Sequence, residues 1–261
     1  MRRYGVKVQT PSGGAVDLAV ESLDLLGFAV VDGGYTAAEL DQFAEHFDRA
    51  HTALVARHGL EALREIDEHN TIRAPLTIDP LFATLAMNPV IEAICGRVFG
   101  DAFILNQQNG VINPANQSDY NQGAYHRDLA YQHFVSTRPL AINALFCIDE
   151  FTAENGATTV VPASHKQEAF PSDAAVRQLE RAIAAPRGTF IVMDGMTFHS
   201  GGPNRTGRPR RAVNHVYSLP FVKQQIDLSS VFARNRDERT PADIAAYYED
   251  RRRKLARRAK D

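Results

Sequence analysis

The chain has 261 residues, 29 Lys plus Arg against 31 Asp plus Glu, and a formal net charge of −2. It is 44% hydrophobic and 23% charged, an ordinary balance for a globular domain that needs neither disulfides nor structural zinc. Near-neutral charge gives no bias toward nucleic acid or an anionic membrane. No segment approaches about 20 consecutive apolar residues, and Met1–Thr10 lacks the apolar stretch of a secretory signal. Cys95 and Cys147 have no CxxC spacing, which argues against a disulfide framework and a cysteine zinc site. A reducing cytoplasm is the expected compartment.

The first hundred residues read as mostly helical. Leu18–Leu26 leads into a short strand, Phe28–Val31, and Asp32-Gly33-Gly34 turns the chain. Thr36 with Glu39 forms a capping box for a helix over Ala37–His58. Its Leu40, Phe43, Phe47, Ala50 and Leu54 recur at helical spacing and predict one buried face. Pro80–Phe99 is a second helical region, interrupted at Pro89.

Strands dominate after Gly100. Ala102–Gln108, Leu140–Ile148, Thr158–Val161, Thr189–Met193 and Arg211–Leu219 are strand candidates, and Asn113–Tyr125 is a polar loop. Short strands separated by turn residues predict a sandwich or barrel. Pro241–Asp261 reads as a terminal helix capped by Thr240, its basic residues solvated and suited to the helix dipole.

His126 and Asp128 are two residues apart, so on a strand they share a face. With a histidine from another strand they make a two-His-one-carboxylate triad, which leaves open positions on Fe(II) for a cosubstrate and oxygen. His199 stands just past the apolar strand Thr189–Met193, and Arg210 follows a Gly201-Gly202-Pro203-Asn204 turn. A guanidinium there suits the far carboxylate of 2-oxoglutarate. Arg127 alternates away from the metal face, which predicts an outer salt bridge. His215 and Tyr217 share parity with Arg211, away from Arg210. Asn143, on the strand after the triad pair, is a candidate cosubstrate contact. Tyr131 and His133 are candidates for the substrate mouth. His165 reads as structural.

Three motifs resemble the phytanoyl-CoA dioxygenase-like family. They are Asn155-Gly156 through Pro162-Ala163-Ser164-His165, then Tyr125-His126-Arg127-Asp128, then His199 with Asn204 and Arg210. The resemblance runs from about Gly27 to Leu219. It implies a mainly β fold with flanking α: a double-stranded β-helix (a cupin-like jelly roll) backed by N-terminal helices and a C-terminal helix. It implies one domain over 1–261, with a helical part at 1–100, the jelly roll at about 101–222 and a helical tail at 223–261. It further implies His126, Asp128 and His199 as iron ligands and Arg210 as the 2-oxoglutarate partner, with Arg211 its rival. Asn113 corresponds to a cosubstrate-contacting asparagine, with Gln108 as competitor. Ala163 stands where the family motif has glycine, and no tryptophan flanks the site. Asp128 disfavours halogenation, in which a small residue replaces the carboxylate.

The expected activity is Fe(II)-, 2-oxoglutarate- and O2-dependent hydroxylation of an unactivated C–H bond of a small polar metabolite or natural-product intermediate, with release of succinate and CO2. The alternatives are a metal-dependent hydrolase or isomerase on the same barrel, against which Arg210 counts, and a non-catalytic small-molecule-binding barrel. Neither nucleic acid nor membrane is an expected partner. The sequence does not predict the oligomeric state.

Overall fold

Helix signals in the first hundred residues act where the sequence places them. The computed structural model describes residues 2–7, 13–117, 120, 122–129, 134–228, 244, 248–249, 251–253 and 255–256. Helix α1 (Ala15–Leu26) ends on Gly27 in the left-handed conformation, φ 83°, and strand β1 (Phe28–Asp32) follows. Helix α2 (Ala37–His58) opens on the predicted capping box and buries Phe43, Phe47, Ala50 and Leu54. Then come α3 (Leu60–Glu65) and the short strand β2 (Thr71–Arg73). The interruption at Pro89 is a boundary: α4 (Leu81–Ala86) stops, and α5 (Pro89–Phe99) starts with Pro89 in its first turn. Asn88 caps α5 by accepting from the N–H groups of Val90 and Ile91.

The remaining strands are β3 (Ile104–Asn113), β4 (Ala141–Cys147), β5 (Thr158–Val160), β6 (Arg181–Ala182), β7 (Thr189–Asp194), β8 (His199–Gly201) and β9 (Arg210–Ser218), with helix α6 (Asp173–Leu179) before β6. Strand β3 extends past the expected Gln108 to Asn113, because β9 offers it a partner along that whole length. A large antiparallel sheet has the order β1-β7-β4-β9-β3-β2, and a small one has β6-β5-β8. Two facing antiparallel sheets with helices on one side make the expected jelly roll.

Alternation along the large sheet sorts its side chains into two layers. Ile142, Ala144, Phe146, Phe190, Val192, Val213 and Tyr217 pack outward against the helices, with Phe43, Phe47, Phe82 and Ile91. Leu145, Cys147, Ile191, Met193 and Ala212 face inward, with Val160 of the small sheet and Phe151. On β3, Asn106 is an extra residue between Leu105, opposite Tyr217, and Gln107, opposite Val216. The bulge re-phases the strand and turns Gln107, Asn109, Val111 and Asn113 to the inner face.

The tail is more than a solvated helix. Ile244 and Tyr248, both helical, join Ile66, Ala74, Ile226 and Leu228 in a buried cluster. Arg251 lies 3.3 Å from the fully buried Glu68. The rest of the tail, including Thr240, lies outside the described residues. Among the described residues no helix is long and apolar enough to cross a membrane.

His215 sits on the outer face as its parity predicts, with Nδ1 3.0 Å from the Ala144 carbonyl. Burial pushes this ring down to about 4, from an ordinary 6.5. Between those values the unfolded chain binds a proton that the folded chain refuses. The ring's contribution to stability is therefore intact above pH 6.5 and lost as pH falls toward 4. The loss is about 3 kcal/mol. Urea midpoints at pH 7 and pH 4.5 should differ more in the wild type than in His215→Gln; equal differences would overturn this account.

Candidate active site

Strand β8 opens with His199, whose N–H donates to the His126 carbonyl at 3.1 Å while the His126 N–H donates back at 2.9 Å. This is an isolated antiparallel bridge. His126 and Asp128 therefore do not share a regular strand, as the sequence suggested. His126 pairs with the first residue of β8, whereas the Asp128 N–H donates to the carbonyl of Gly195, in the turn between β7 and β8, at 3.1 Å.

The three side chains meet. One Asp128 oxygen is 3.7 Å from His126 Nε2, and the other is 3.7 Å from His199 Nε2. All three ligand atoms lie within 4.8 Å of one another, and this is the single such cluster among the described residues. His126 Nδ1 is 2.8 Å from the Ala124 carbonyl and His199 Nδ1 is 3.0 Å from the Thr197 carbonyl. A carbonyl only accepts, so each Nδ1 carries the proton and each Nε2 turns a lone pair to the centre. Burial lowers the pKa of His199, which keeps its imidazole neutral. Asp128 Oδ2 is buried with no hydrogen-bond partner. Two imidazoles and a carboxylate arranged this way fit a divalent iron ion with open positions.

A cavity of about 320 Å³ opens beside this cluster, a size suited to small molecules. Arg210 is buried on its wall, with the guanidinium carbon 3.8 Å from the centre of the Phe151 ring. Burial lowers its pKa, partly opposed by a hydrogen bond with Tyr120, yet a guanidinium stays charged in proteins. Among the described residues no carboxylate reaches ion-pair distance of Arg210, and its Nε has no partner. Arg211 points the other way. Asp149 grips it from two oxygens at 2.8 and 3.0 Å, and Asp48 holds it at 2.7 Å.

Asn113 also lines the cavity, but both its N–H bonds are committed, to the carbonyls of Gly156 at 3.1 Å and Gly202 at 2.9 Å. Its Oδ1 remains without a partner. Gly156 has φ 78°, and a Cβ there would lie 2.2 Å from the Asn113 amide nitrogen, so the Asn155-Gly156 motif makes room for Asn113. Gln108 is a correction. It lies on the helix-facing side, with Nε2 donating to Phe82 and Oε1 accepting from Leu76. Asn113 and Gln108 are an odd number of residues apart on one strand, so they cannot face the same way. Asn143 is on the inner face, fully buried between Met193 and Val216, with neither amide atom partnered; it is not among the residues lining the cavity. Tyr131 and His133 lie outside the described residues.

Arg127 does not turn outward. It is buried over the Phe198 ring at 3.8 Å and donates to the carbonyls of Met196, Glu168, Ser164 and Gln167. His165 is buried in its turn, near the Asp24 carbonyl at 3.2 Å, a structural place. Thr71, Gln107, Asn109 and Asn214 line the cavity and were not singled out from the sequence. Parity could have found three of them, since Gln107 and Asn109 are six and four residues before Asn113 and Asn214 is four after Arg210.

The model of the phytanoyl-CoA dioxygenase family matches residues 23–212. The chain belongs to that family. Its relatives include the uncharacterized protein Rv1501 of Mycobacterium tuberculosis, 30% identical over 85% of this chain and 82% of the relative. The iron/alpha-ketoglutarate-dependent dioxygenase penM of Penicillium thymicola is 32% identical over 44% of this chain and 36% of its own. Among solved structures, EctD from S. alaskensis with 2-oxoglutarate and 5-hydroxyectoine superposes with a TM-score of 0.63 at 20% identity, covering 77% of this chain and 74% of that one. The epimerase SnoN, in complex with Fe3+, alpha ketoglutarate and nogalamycin RO, gives 0.60 at 19% identity, covering 78% and 84%. These likenesses establish the double-stranded β-helix fold.

Two substitutions test how this family site is held. Arg127→Lys removes the planar fork that reaches several carbonyls at once. It should cost about 2–4 kcal/mol of stability, read from urea midpoints, and lower Fe(II) retention on gel filtration. Ala163 sits in the left-handed region at φ 61°, where the family motif's glycine is free of strain. Ala163→Gly should be neutral or stabilise by about 1 kcal/mol; a destabilised variant would contradict the strain.

Proposed function

We propose that the protein is an Fe(II)- and 2-oxoglutarate-dependent oxygenase that hydroxylates an unactivated C–H bond of a small polar metabolite. The observation that carries this reading is Arg210. A buried, charged guanidinium without a carboxylate beside it is costly, and it lines the same cavity as the His126–Asp128–His199 donor set. A dicarboxylate that chelates a metal at one end and meets a guanidinium at the other suits both groups.

In this reading His126, Asp128 and His199 would hold the iron and leave coordination positions for small molecules. Arg210, steadied by Tyr120 and the Phe151 ring, takes the C5 carboxylate as a paired, charge-assisted contact. Asn113 holds the walls of this end through Gly156 and Gly202. Iron with bound 2-oxoglutarate supplies the oxidising chemistry, in which O2 is consumed, succinate and CO2 leave, and one oxygen atom passes to the substrate. The chain's own work is to orient the two small molecules and keep the His199 imidazole neutral. The penM dioxygenase is named for the same iron and cosubstrate. SnoN, titled an epimerase, marks the outcome from which hydroxylation must be distinguished.

Anaerobic titration of 2-oxoglutarate into the Fe(II)-loaded protein should raise the weak visible charge-transfer band of the chelate. His199→Ala should abolish it. Arg210→Ala should weaken 2-oxoglutarate binding by at least about 10-fold, whereas Arg211→Ala should lower stability and spare that affinity. No band and no calorimetric binding by properly loaded protein would sink the proposal. With a substrate in hand, a product heavier by one oxygen supports hydroxylation, and an isomer of unchanged mass overturns it.

A further inference from the structure

Asn109 and Asn214 are direct partners across β3 and β9, and both line the cavity. Asn214 shares a face with Arg210 and lies four residues further on, roughly 13 Å along the strand. The amide pair therefore marks a separate end of the cavity from the guanidinium. Asn109 is itself buried and donates through Nδ2 to Gln107 Oε1 at 3.0 Å, which leaves Asn109 Oδ1 as an acceptor. That oxygen is buried with no partner, as is Asn214 Oδ1. Thr71 Oγ1, on the neighbouring strand β2, is also buried and unpartnered. An unmet buried polar group is costly, and three share one wall.

The charges around that wall are engaged. Arg73, opposite Asn109, is held by Glu68 through two 2.8 Å hydrogen bonds. Arg127 serves backbone carbonyls. Asp128 is the single carboxylate among the described lining residues and belongs to the metal set. Unmet acceptors call for donors, and a cationic donor would need a carboxylate near it. Hydroxyl groups satisfy the wall without one.

We infer that Asn109 and Asn214, backed by Gln107, form the specificity-determining contact for a neutral, polyhydroxylated substrate. This rests on the oxygenase reading for what is then done to the substrate, but not for its binding.

The test uses the full chain loaded with Ni(II) and 2-oxoglutarate, which binds without turnover. The probes are methyl β-D-glucopyranoside, its 2-amino-2-deoxy analogue and methyl β-D-glucuronide, compared by ligand-observed NMR. The neutral glycoside should bind saturably and at least about 10-fold more tightly than either charged analogue. Asn109→Ala and Asn214→Ala should each weaken it about 5- to 10-fold. Asn109→Ser is the milder second variant should alanine fail to fold, and the ranking of the probes on wild type needs no variant. Tighter binding of the amine or the glucuronate, no binding of the neutral glycoside, or variants that bind it as wild type does would overturn the inference. Calorimetry of 2-oxoglutarate on the same wild-type sample separates the two readings. Glycoside binding without 2-oxoglutarate binding supports the amide contact and rejects the oxygenase.

Discussion

The register of β9 between β3 and β4 is the constraint on which the site depends. Because side chains alternate, a slip of one residue would send Arg211 into the cavity and turn Val213, His215 and Tyr217 after it. The outer face prevents this. Val213 and Tyr217 are packed into the helix-backed core, and the Tyr217 hydroxyl donates to the Ala86 carbonyl at 2.6 Å. Asp149 and Asp48 grip Arg211. The helical layer never touches a ligand, yet it decides which of two adjacent arginines is buried in the cavity.

The candidate metal ligands depend on a second, shorter device. The turn after β7 leads directly into His199 and accepts the Asp128 N–H through Gly195. The α1–β1 junction braces that turn: the Gly27 carbonyl accepts from the Asp194 N–H at 2.9 Å and from the Thr197 hydroxyl at 3.0 Å. A side chain at Gly27 would collide with Thr197 and with His165. Ser164 accepts from the Phe198 N–H at 2.9 Å. The Pro-Ala-Ser-His motif thus supports the candidate metal centre without belonging to its donor set.

Much of this was legible in the sequence, and the omissions have physical reasons. Capping at Thr36 and the break at Pro89 are local, so residue type sufficed. The donor set was legible because few other chemistries use an imidazole, a carboxylate and a distant second imidazole with an arginine downstream. The His126–Asp128 geometry was not, because an isolated bridge is created by a partner seventy residues away. Gln108 was misplaced because strand length was underestimated; once β3 runs to Asn113, parity alone excludes it. Asn109 and Asn214 were overlooked because parity with Asn113 and Arg210 marks their face only once β3 and β9 are known to run unbroken through both positions. Tyr131 and His133 fall outside the described residues.

The unmet polar groups also divide the molecule functionally. Asp128 Oδ2, Arg210 Nε, Asn109 Oδ1 and Asn214 Oδ1 all belong to residues that line one cavity, while Ile142, Ala144, Phe146, Phe190, Val192 and Val213 on the outer face of the same sheet pack into an apolar core. A core built for stability alone would exchange these groups for aliphatic side chains of similar size. Keeping several of them together leaves the folded chain less stable than its packing allows. Anything that satisfies them binds the folded state and not the unfolded one, and stabilises it by mass action. Cation, dicarboxylate and hydroxylated substrate would then act on three different members of this set, so each can add to stability without competing for the same atoms.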